Sequence, residues 1–374
     1  MEVAPRAPLA ALPLAPHTRQ ALLAAGLSTV ADLEPFGSPD ALASACGLDP
    51  SDASEALFAA FGAPHPGWRL TGAASARELL ESEAARPRIS TYCTELDALL
   101  AGGVAAGSVT EFCGVPGVGK TQLGIQLAVN AQIPRLLGGR GGKAVYIDTE
   151  GSFMADRAVD IASATVRHIS GAARANGDPA HISEAEKFTV QSVLDGILYF
   201  RVQDHTQQLA LIRTLDALLA SIPEVALVVI DSVTFHFRQD WPDAGLRSRL
   251  LAGVAQDAAA LAEGRHLAVV FMNQVTTKVV GGGPDGGVLV PALGESWGQA
   301  SSTRVALFWD GPQRRAHALK APLLPEGLGG QPRGAAAAAG AQRDGRQAPR
   351  AAAAAAVPYD VTVDGVRSSA AAAP

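Results

Sequence analysis

The sequence predicts an α/β protein whose large domain has a mostly parallel central sheet and whose N-terminal part is a small all-helical domain. Between Val109 and Phe271, short apolar runs alternate with segments of helical period, as in βαβ units that are covered on both faces. A glycine-rich loop, with a strand-like run before it and a helix-like run after it, lies at the start of this pattern. Upstream, the stretch from Leu12 to Phe61 contains only short helical segments broken by proline, glycine and serine.

The composition of the 374-residue chain suits a sizeable core and limits the classes of function. With 48% hydrophobic residues, much of that core is expected to be Ala, Val and Leu. A formal net charge of -6 argues against a generally basic nucleic-acid surface but is compatible with a few basic loops. The sequence has neither a long uncharged apolar stretch nor a secretory signal, so we expect a soluble intracellular protein without a membrane partner. The spacing of Cys46, Cys93 and Cys113 favours buried free thiols.

The N-terminal elements are predicted from their start and stop signals. Residues 1–62 form the expected helical domain, and residues 63–87, rich in Ala, Pro and Gly, form a linker with one short helix near Ala76–Ala84. The turns at Gly26 and Gly47 resemble a helix-hairpin-helix motif that offers backbone amides to a DNA phosphate, although the spacing favours two ordinary left-handed helix ends. The expected helices are Pro16–Ala25, Thr29–Leu33, Pro39–Ala45 and Ser51–Phe61.

The remaining residues, 88–374, are expected to form the α/β domain. Apolar runs predict parallel strands at Val109–Cys113, Ala144–Ile147, Ile197–Val202, Ala226–Ile230 and Leu267–Phe271. Helical segments begin at Lys120 and cover Arg157–Ile169, Gln207–Ser221 and Leu246–Ala262. Three later runs without intervening helices should extend the sheet antiparallel at its edge: Arg304–Trp309, Ala316–Lys320 and Tyr359–Val363. The Ala/Gly-rich stretch 325–356 has no apolar stripe and is expected to be a disordered insertion.

The loop Gly114–Thr121 matches the phosphate-binding pattern G-x-x-x-x-G-K-[ST]. Glycines let backbone amides converge on phosphate oxygens, and the dipole of the following helix adds to the attraction. Lys120 would reach the β- and γ-phosphates of ATP, and the Thr121 hydroxyl would bind Mg²⁺. The expected nucleotide-binding residues are Gly114, Val115, Pro116, Gly117, Val118, Gly119, Lys120, Thr121 and Gln122.

Two further strand ends provide carboxylates for this site. Asp231 ends an aliphatic run and is the second predicted Mg²⁺ ligand. Glu150 is the candidate for activating the attacking water, with Asp148 as the alternative. The guanine-reading pattern Asn-Lys-x-Asp is absent from the sequence, and Asn273 is followed by Gln-Val, which argues against a GTPase.

Together these motifs resemble a known family. The phosphate loop, Tyr146–Phe153, the strand ending at Asp231-Ser232 and Met272–Lys278 are similar in order and spacing to the ATPase core of RecA-type DNA recombinases of the eukaryotic and archaeal branch. Within that family, four segments look like the paralogue branch: Gly117–Leu123, Phe153-Met154, Leu246–Leu251 and Leu289–Gly298. The resemblance covers about Leu12 to Lys320 and implies a RecA-type P-loop ATPase fold.

The resemblance also implies roles for individual residues. Glu150 would activate water, Arg157 would stack on adenine, and Gln274 would couple the γ-phosphate to DNA, so that Glu150, Lys120 and Gln274 are the candidate catalytic residues. DNA-binding loops would lie at about Val233–Leu246 and at Val275–Val290, a glycine-rich stretch expected to be flexible. The candidate DNA contacts are Arg238, Arg247 and Lys278, each of which could equally be a solvated surface cation.

Two positions near the end of the resemblance are of separate interest. Gln299 stands where the family usually has His, which questions the relay from nucleotide to DNA loop. Lys320 lies where family members cover the ATP of an adjoining subunit, and is either such a trans contact or a free surface lysine.

The function implied by the resemblance is DNA-dependent ATP hydrolysis in homologous recombination, in the repair of double-strand breaks and crosslinks, in meiosis and in Holliday junction processing. The implied partners are single-stranded and branched DNA, other recombinase paralogues (B, D and X-ray-repair types) and the strand-exchange recombinase filament, in the nucleus, although the sequence has no clear basic import signal. The alternative is an assembly subunit that binds ATP structurally at a subunit interface with little hydrolysis.

Overall fold

A computed structural model describes residues 8–61, 75–222, 224–238, 241, 243–279, 287–294, 296–321 and 356–369. The chain divides into two compact units, Met1–Ala85 and Arg86–Pro374. Among the described residues, no helix is long and apolar enough to cross a bilayer. Residues 63–74 of the expected linker and residues 325–355 of the expected insertion lie outside the described residues, and the boundaries proposed for both segments remain predictions.

The first unit is helical, as expected. Its core includes fully buried leucines, among them Leu22, Leu42 and Leu57, together with Val30 and small alanines. Gly26 and Gly47 have φ angles of 83° and 63°, so both helices before them end in the left-handed conformation that glycine accommodates best. The segment expected as a helix at Thr29–Leu33 is a short 3-10 helix, Val30–Leu33. The α-helices of this unit are α1 (Pro16–Ala24), α2 (Pro39–Cys46), α3 (Pro50–Phe61) and α4 (Ala76–Ala84).

The second unit contains the predicted α/β fold with a mostly parallel central sheet. A two-stranded sheet pairs β1 (Arg88–Ile89) with β2 (Val104–Ala105). The strands of the main sheet are β3 (Ser108–Gly114), β4 (Lys143–Asp148), β5 (Ile197–Arg201), β6 (Val225–Asp231), β7 (Ala268–Val279), β8 (Gly287–Pro291), β9 (Thr303–Asp310), β10 (Gln313–Lys320), β11 (Val357–Thr362) and β12 (Gly365–Arg367). Their order in the sheet is β12-β11-β10-β9-β3-β7-β6-β4-β5, with β8 attached to β7.

Side chains that alternate along the strands fill a core on each face of this sheet. In β6, for example, Leu227 and Val229 pack into one core, whereas Val228 and Ile230 pack into the other. The α-helices described in the unit are α5 (Thr94–Leu99), α6 (Lys120–Asn130), α7 (Ala155–Asn176), α8 (Pro179–Lys187), α9 (Val190–Asp195), α10 (His205–Ala220) and α11 (Ala244–Arg265). Helices α6 and α7 contribute to the first core, and α10 and α11 contribute to the second.

Two strand predictions need correction. The run at Arg304–Trp309 was expected to be antiparallel, but β9 pairs with β3 in parallel, and the antiparallel pairing starts with β10. The strand expected to end at Phe271 continues through Gln274 to Val279 and pairs antiparallel with β8. Part of the expected flexible loop at Val275–Val290 is therefore a β-ribbon, because backbone pairing continues beyond the apolar run from which the strand was predicted.

Candidate nucleotide site at the carboxyl edge of the sheet

The parallel strands β3, β4 and β6 end at one edge of the sheet, where β7 runs on past Gln274, and this shared direction brings the predicted site residues together. Gly114 ends β3 and pairs in register with Gln274, while Asp148 pairs with Asp231. The phosphate loop lies between β3 and α6. The predicted phosphate, metal and catalytic groups therefore belong to one edge of the fold.

Glycines allow the phosphate loop to lie close to the neighbouring strand β9. A Cβ at Gly114 would lie 2.4 Å from the carbonyl oxygen of Leu307 in β9, so a larger residue could not be accommodated there. Gly119 has a φ of 109° at the start of α6, a conformation that glycine adopts without strain. The loop thus presents backbone amides and a helix N-terminus to the same space, which suits a polyphosphate.

Lys120 points back over this loop. Its Nζ donates hydrogen bonds to the carbonyl oxygens of Gly114 at 2.9 Å and Val115 at 3.0 Å. Burial lowers the pKa of Lys120, while the charges of Asp231 and Glu150 act in the opposite direction. The ammonium group is therefore held among the loop carbonyls and close to the site's two acids.

Tyr359, a residue far along the sequence in β11, fixes the phosphate loop. Its buried hydroxyl donates to the carbonyl oxygen of Val118 at 2.8 Å, and the ring is 1% exposed. Burial raises the pKa of this phenol far above its usual range, so it stays neutral and remains a donor. The sequence pattern predicts a strand at Tyr359 but not this contact, because 241 residues separate the two partners.

Thr121 and Asp231 form the candidate metal site. The Thr121 hydroxyl donates to Asp231 Oδ2 at 2.7 Å, and the Tyr146 hydroxyl donates to the same oxygen at 2.8 Å. Burial raises the pKa of Asp231, and the two hydroxyl donors partly offset that shift. A hydroxyl and a carboxylate side by side fit Mg²⁺, which binds through one or two protein oxygens together with phosphates and water. Tyr146 was not among the predicted site residues.

The two acids at the end of β4 have different environments. Asp148 is fully buried, and its carboxylate accepts backbone N–H bonds from Glu150 (3.0 Å), Gly151 (2.7 Å), Ser152 (3.3 Å) and Phe153 (3.1 Å). Asp148 therefore shapes the turn after β4 and has little capacity left for proton transfer. Glu150 remains the candidate base.

Glu150 receives two side-chain donors on a single oxygen. The Ser232 hydroxyl lies 2.7 Å from Oε1, and Gln274 Nε2 lies 2.6 Å from the same atom. Gln274 in turn accepts a hydrogen bond from Arg238. The structure thus joins the candidate base, the candidate sensor and one candidate DNA contact in a continuous chain.

The remaining candidate cations have varied surroundings. Arg157 donates to Gln122 and to the carbonyl oxygens of Thr362 and Val363, so the predicted adenine contact lies against the turn between β11 and β12. Arg247 Nε donates to the carbonyl oxygen of Phe237 at 2.7 Å. Lys278 lies in β7, and its side chain is outside the described part of the structure.

A buried ion pair supports the base of the β7–β8 ribbon. Glu111 in β3 is fully buried and accepts a hydrogen bond from Arg304 Nη2 in β9, with Nη2 to Oε1 at 3.1 Å. Arg304 Nε forms an ion pair with Glu111 Oε2 at 3.0 Å. Asn273 also donates to Glu111, at 2.6 Å, and to the carbonyl oxygen of Ala292 at 3.2 Å. Because Asn273 precedes Gln274, this cluster fixes the backbone next to the candidate sensor.

Comparison with known proteins identifies the family. The model of the Rad51 family matches residues 85–170 and 171–329, more than half of the chain. The chain belongs to the Rad51 family. It is 42% identical over 329 residues to DNA repair protein RAD51 homolog 3 of Cricetulus griseus, covering 85% of this chain and 88% of that protein. It is also 42% identical over 246 residues to DNA repair protein RAD51 homolog 3 of Dictyostelium discoideum, covering 65% of this chain and 63% of that protein.

In this Rad51-family chain, Lys320 contacts the segment Gly298–Ser301, which contains Gln299. Lys320 Nζ donates to the carbonyl oxygens of Ser301 at 2.7 Å and Gly298 at 3.2 Å, so within the chain it is bonded rather than free. Gln299 is exposed at the end of the 3-10 helix Ser296–Gln299. The trans contact expected for Lys320 stays a prediction.

Proposed function

We propose that this Rad51-family chain is a recombinase paralogue of the C type, which hydrolyses Mg-ATP in response to DNA during homologous recombination. The observation that carries the proposal is the bonded chain from Glu150 through Gln274 to Arg238. It gives the candidate base a direct connection to the strand that continues into the β7–β8 ribbon, where the family resemblance puts DNA.

In the proposed reaction, each group has a task that follows from its contacts. The amides of the phosphate loop bind the phosphate oxygens, and Lys120 neutralises charge on the β- and γ-phosphates. Thr121 and Asp231 hold the metal ion, which supplies further neutralisation of the developing negative charge. Glu150 orients the attacking water and accepts its proton.

In this proposal, Arg157 contacts the adenine ring of the nucleotide, and Gln122 helps to hold Arg157 in place. Arg157 is held by two backbone carbonyl oxygens and by Gln122, so its guanidinium plane is already fixed and would offer a flat cationic face to adenine. A prefixed guanidinium loses little conformational entropy on binding.

The DNA contacts are proposed for the two segments that the resemblance marks as DNA-binding, Val233–Leu246 and Val275–Val290. Arg238 would contact a phosphate of single-stranded or branched DNA, with Arg247 and Lys278 as further cations. A DNA phosphate at Arg238 would compete with its bond to Gln274, which makes the orientation of Gln274, and hence of Glu150, sensitive to DNA.

The proposed cellular role rests on the proposed assignment of the chain to the C-type recombinase paralogues. The relatives' names support a role in DNA repair. We place the chain in the nucleus, in complexes with other recombinase paralogues that assist the recombinase filament in the repair of double-strand breaks and crosslinks and at Holliday junctions.

The test is ATP hydrolysis by the purified chain with and without single-stranded DNA, beside Lys120→Ala. Lys143→Ala is the matched control, since Lys143 starts β4 at the opposite end of the strand from the site. We expect DNA-stimulated hydrolysis in the wild type and in the control, and none in Lys120→Ala. ATP binding without hydrolysis in the wild type would instead support a structural role for ATP in an assembly subunit.

A further inference from the structure

Ser232, the first residue after β6, is fixed at both of its backbone polar groups. Its N–H donates to Thr149 Oγ1 at 2.8 Å, and Thr149 Oγ1 donates to the Ser232 carbonyl oxygen at 2.8 Å. Thr149 N–H also donates to the carbonyl oxygen of Asp231 at 2.8 Å. Ser232 and Thr149 are both fully buried. The ends of β4 and β6 are therefore locked together, and the direction of the Ser232 side chain is set by buried backbone bonds.

The surroundings of the Ser232 hydroxyl determine which way its proton points. Ser232 Oγ lies 2.7 Å from Glu150 Oε1 and 3.1 Å from Thr234 Oγ1. A carboxylate accepts only, and a serine hydroxyl has one proton, so Ser232 donates to Glu150 and Thr234 donates to Ser232. The result is a directed chain, from Thr234 to Ser232 to Glu150, in which each bond polarises the next.

Ser232 and Gln274 both donate to Oε1 of Glu150. Among the described residues, Oε2 has no donor. The two carboxylate oxygens therefore have different surroundings. Oε1 holds the side chain in place through its two hydrogen bonds, and the lone pairs of Oε2 are available to accept a proton.

We infer that Ser232, supported by Thr234, is a positioning residue that holds Glu150 so that Oε2 accepts the proton of the attacking water. This inference rests on the proposed hydrolysis of ATP. In that step the water oxygen bonds to the γ-phosphorus, while the bond from that phosphorus to the β–γ bridging oxygen breaks and leaves its electron pair on ADP. The proton lost by water passes to Oε2.

Ser232 and Gln274, the two donors to Oε1, have different effects on Glu150 because their other contacts differ. Gln274 also bonds to Arg238, a residue of the proposed DNA loop, whereas Ser232 bonds to the buried residues Thr149 and Thr234, which follow β4 and β6. Ser232 thus sets the hydrolysis rate whether or not DNA is bound, and Gln274 sets the response to DNA. Loss of Ser232 should lower kcat by the same factor in both conditions.

The experiment compares Ser232→Ala, Ser232→Cys and Ser232→Thr in the full chain, by steady-state hydrolysis and by equilibrium binding of ATP. Ser232→Ala should lower kcat about tenfold to a hundredfold, the effect of losing a hydrogen bond to a charged group, with ATP affinity and the DNA stimulation factor unchanged. Cysteine fills the space but donates weakly, so Ser232→Cys should resemble Ser232→Ala. Threonine keeps the hydroxyl and should restore most of kcat.

Thr234→Val tests the next bond in the chain without changing the buried volume much. It should lower kcat severalfold, since Ser232 then loses its own donor. Thr165→Val is the matched control, because Thr165 is also fully buried but its hydroxyl has no partner among the described residues. It should leave kcat unchanged.

Several outcomes would overturn the inference. If the wild type hydrolyses ATP and Ser232→Ala keeps its kcat, Ser232 does not position Glu150, while the proposed function stands. If Ser232→Cys restores full activity, the residue fills space and has a structural role only. A wild type that binds ATP but does not hydrolyse it would overturn this inference and the proposed function together.

Discussion

Gln274 Nε2 lies 2.6 Å from Glu150 Oε1, and this bond joins strand β7 to the turn after β4. The amide oxygen of Gln274 accepts from Arg238, which has donors only, so the amide orientation follows from its neighbours at both ends. A surface cation and the candidate base are therefore separated by one side chain. Any ligand that takes Arg238 away from Gln274 must change the environment of Glu150.

Replacing Gln274 should remove the response to DNA. Gln274→Ala leaves Glu150 with its Ser232 bond, so we expect hydrolysis near the DNA-free rate of the wild type, with little further stimulation. Gln274→Glu keeps the shape but turns an acceptor toward the Glu150 carboxylate, and its rate should be lower than that of Gln274→Ala. A titration of single-stranded DNA into the hydrolysis assay measures both effects.

The matched control for these variants is Gln256→Ala, an exposed position on α11. It should retain the wild-type response. Full DNA stimulation in Gln274→Ala would show that the bond to Glu150 does not transmit the DNA signal.

Removing Arg238 and Lys278 together should weaken binding of single-stranded DNA and reduce its salt dependence. Each phosphate contact that is lost should lower the slope of log K against log salt by about 0.7 on a single strand. Fluorescence anisotropy at several salt concentrations gives that slope. The double variant of Arg174 and Lys187, on α7 and α8, changes the net charge equally and should leave the slope as it is. An unchanged slope without Arg238 and Lys278 would remove these residues from the DNA interface.

The fold and the family could be predicted from local patterns. The phosphate loop, the aliphatic run before Asp231 and the alternation of strands with helices each lie within a short window, and the structure has the expected α/β fold. The orientation of β9 could not be predicted in this way. It depends on the path of the chain after β8, and no local signal distinguishes a parallel from an antiparallel neighbour for β3.

The contacts that complete the candidate site join distant parts of the sequence. Tyr359 reaches the phosphate loop, and Arg304 reaches Glu111, through the order of strands in the sheet. Ser232 is a different case, because it directly follows Asp231 in the sequence. A small hydroxyl residue beside the metal ligand was a usable signal, but its partner Glu150 becomes evident only once β4 and β6 are paired.

Acid should destabilise the second unit through His236. The ring is 6% exposed and its Nε2 lies 3.3 Å from the carbonyl oxygen of Val202. Burial lowers the pKa of His236, partly offset by Val202 and Asp204, while Arg201 and His205 lower it further. As the pH falls, the unfolded chain therefore binds a proton at this histidine before the folded chain does. The contribution to stability is complete above the unfolded pKa of about 6.5 and is lost as the pH falls through the folded value.

His236→Gln removes this titration while keeping a polar side chain. Thermal unfolding of the wild type and the variant is measured between pH 8 and pH 5 at constant ionic strength. The melting temperature should fall less steeply with decreasing pH in the variant than in the wild type. Parallel curves for the two proteins would mean that His236 is not protonated on unfolding in this range.

Breaking the buried pair of Glu111 and Arg304 should destabilise the second unit strongly. Arg304→Met leaves the Glu111 carboxylate buried without its cation, and the expected loss is about 3–5 kcal/mol in the free energy of unfolding. Adding Glu111→Gln removes the uncompensated charge and leaves an amide oxygen for Asn273, so the double variant should recover most of that loss. Arg167→Met is the comparison, because its pair with Asp364 is exposed and should contribute no more than about 1 kcal/mol. Urea unfolding monitored by circular dichroism gives all three differences. A double variant as unstable as Arg304→Met would mean that the guanidinium contributes by packing rather than by neutralising Glu111.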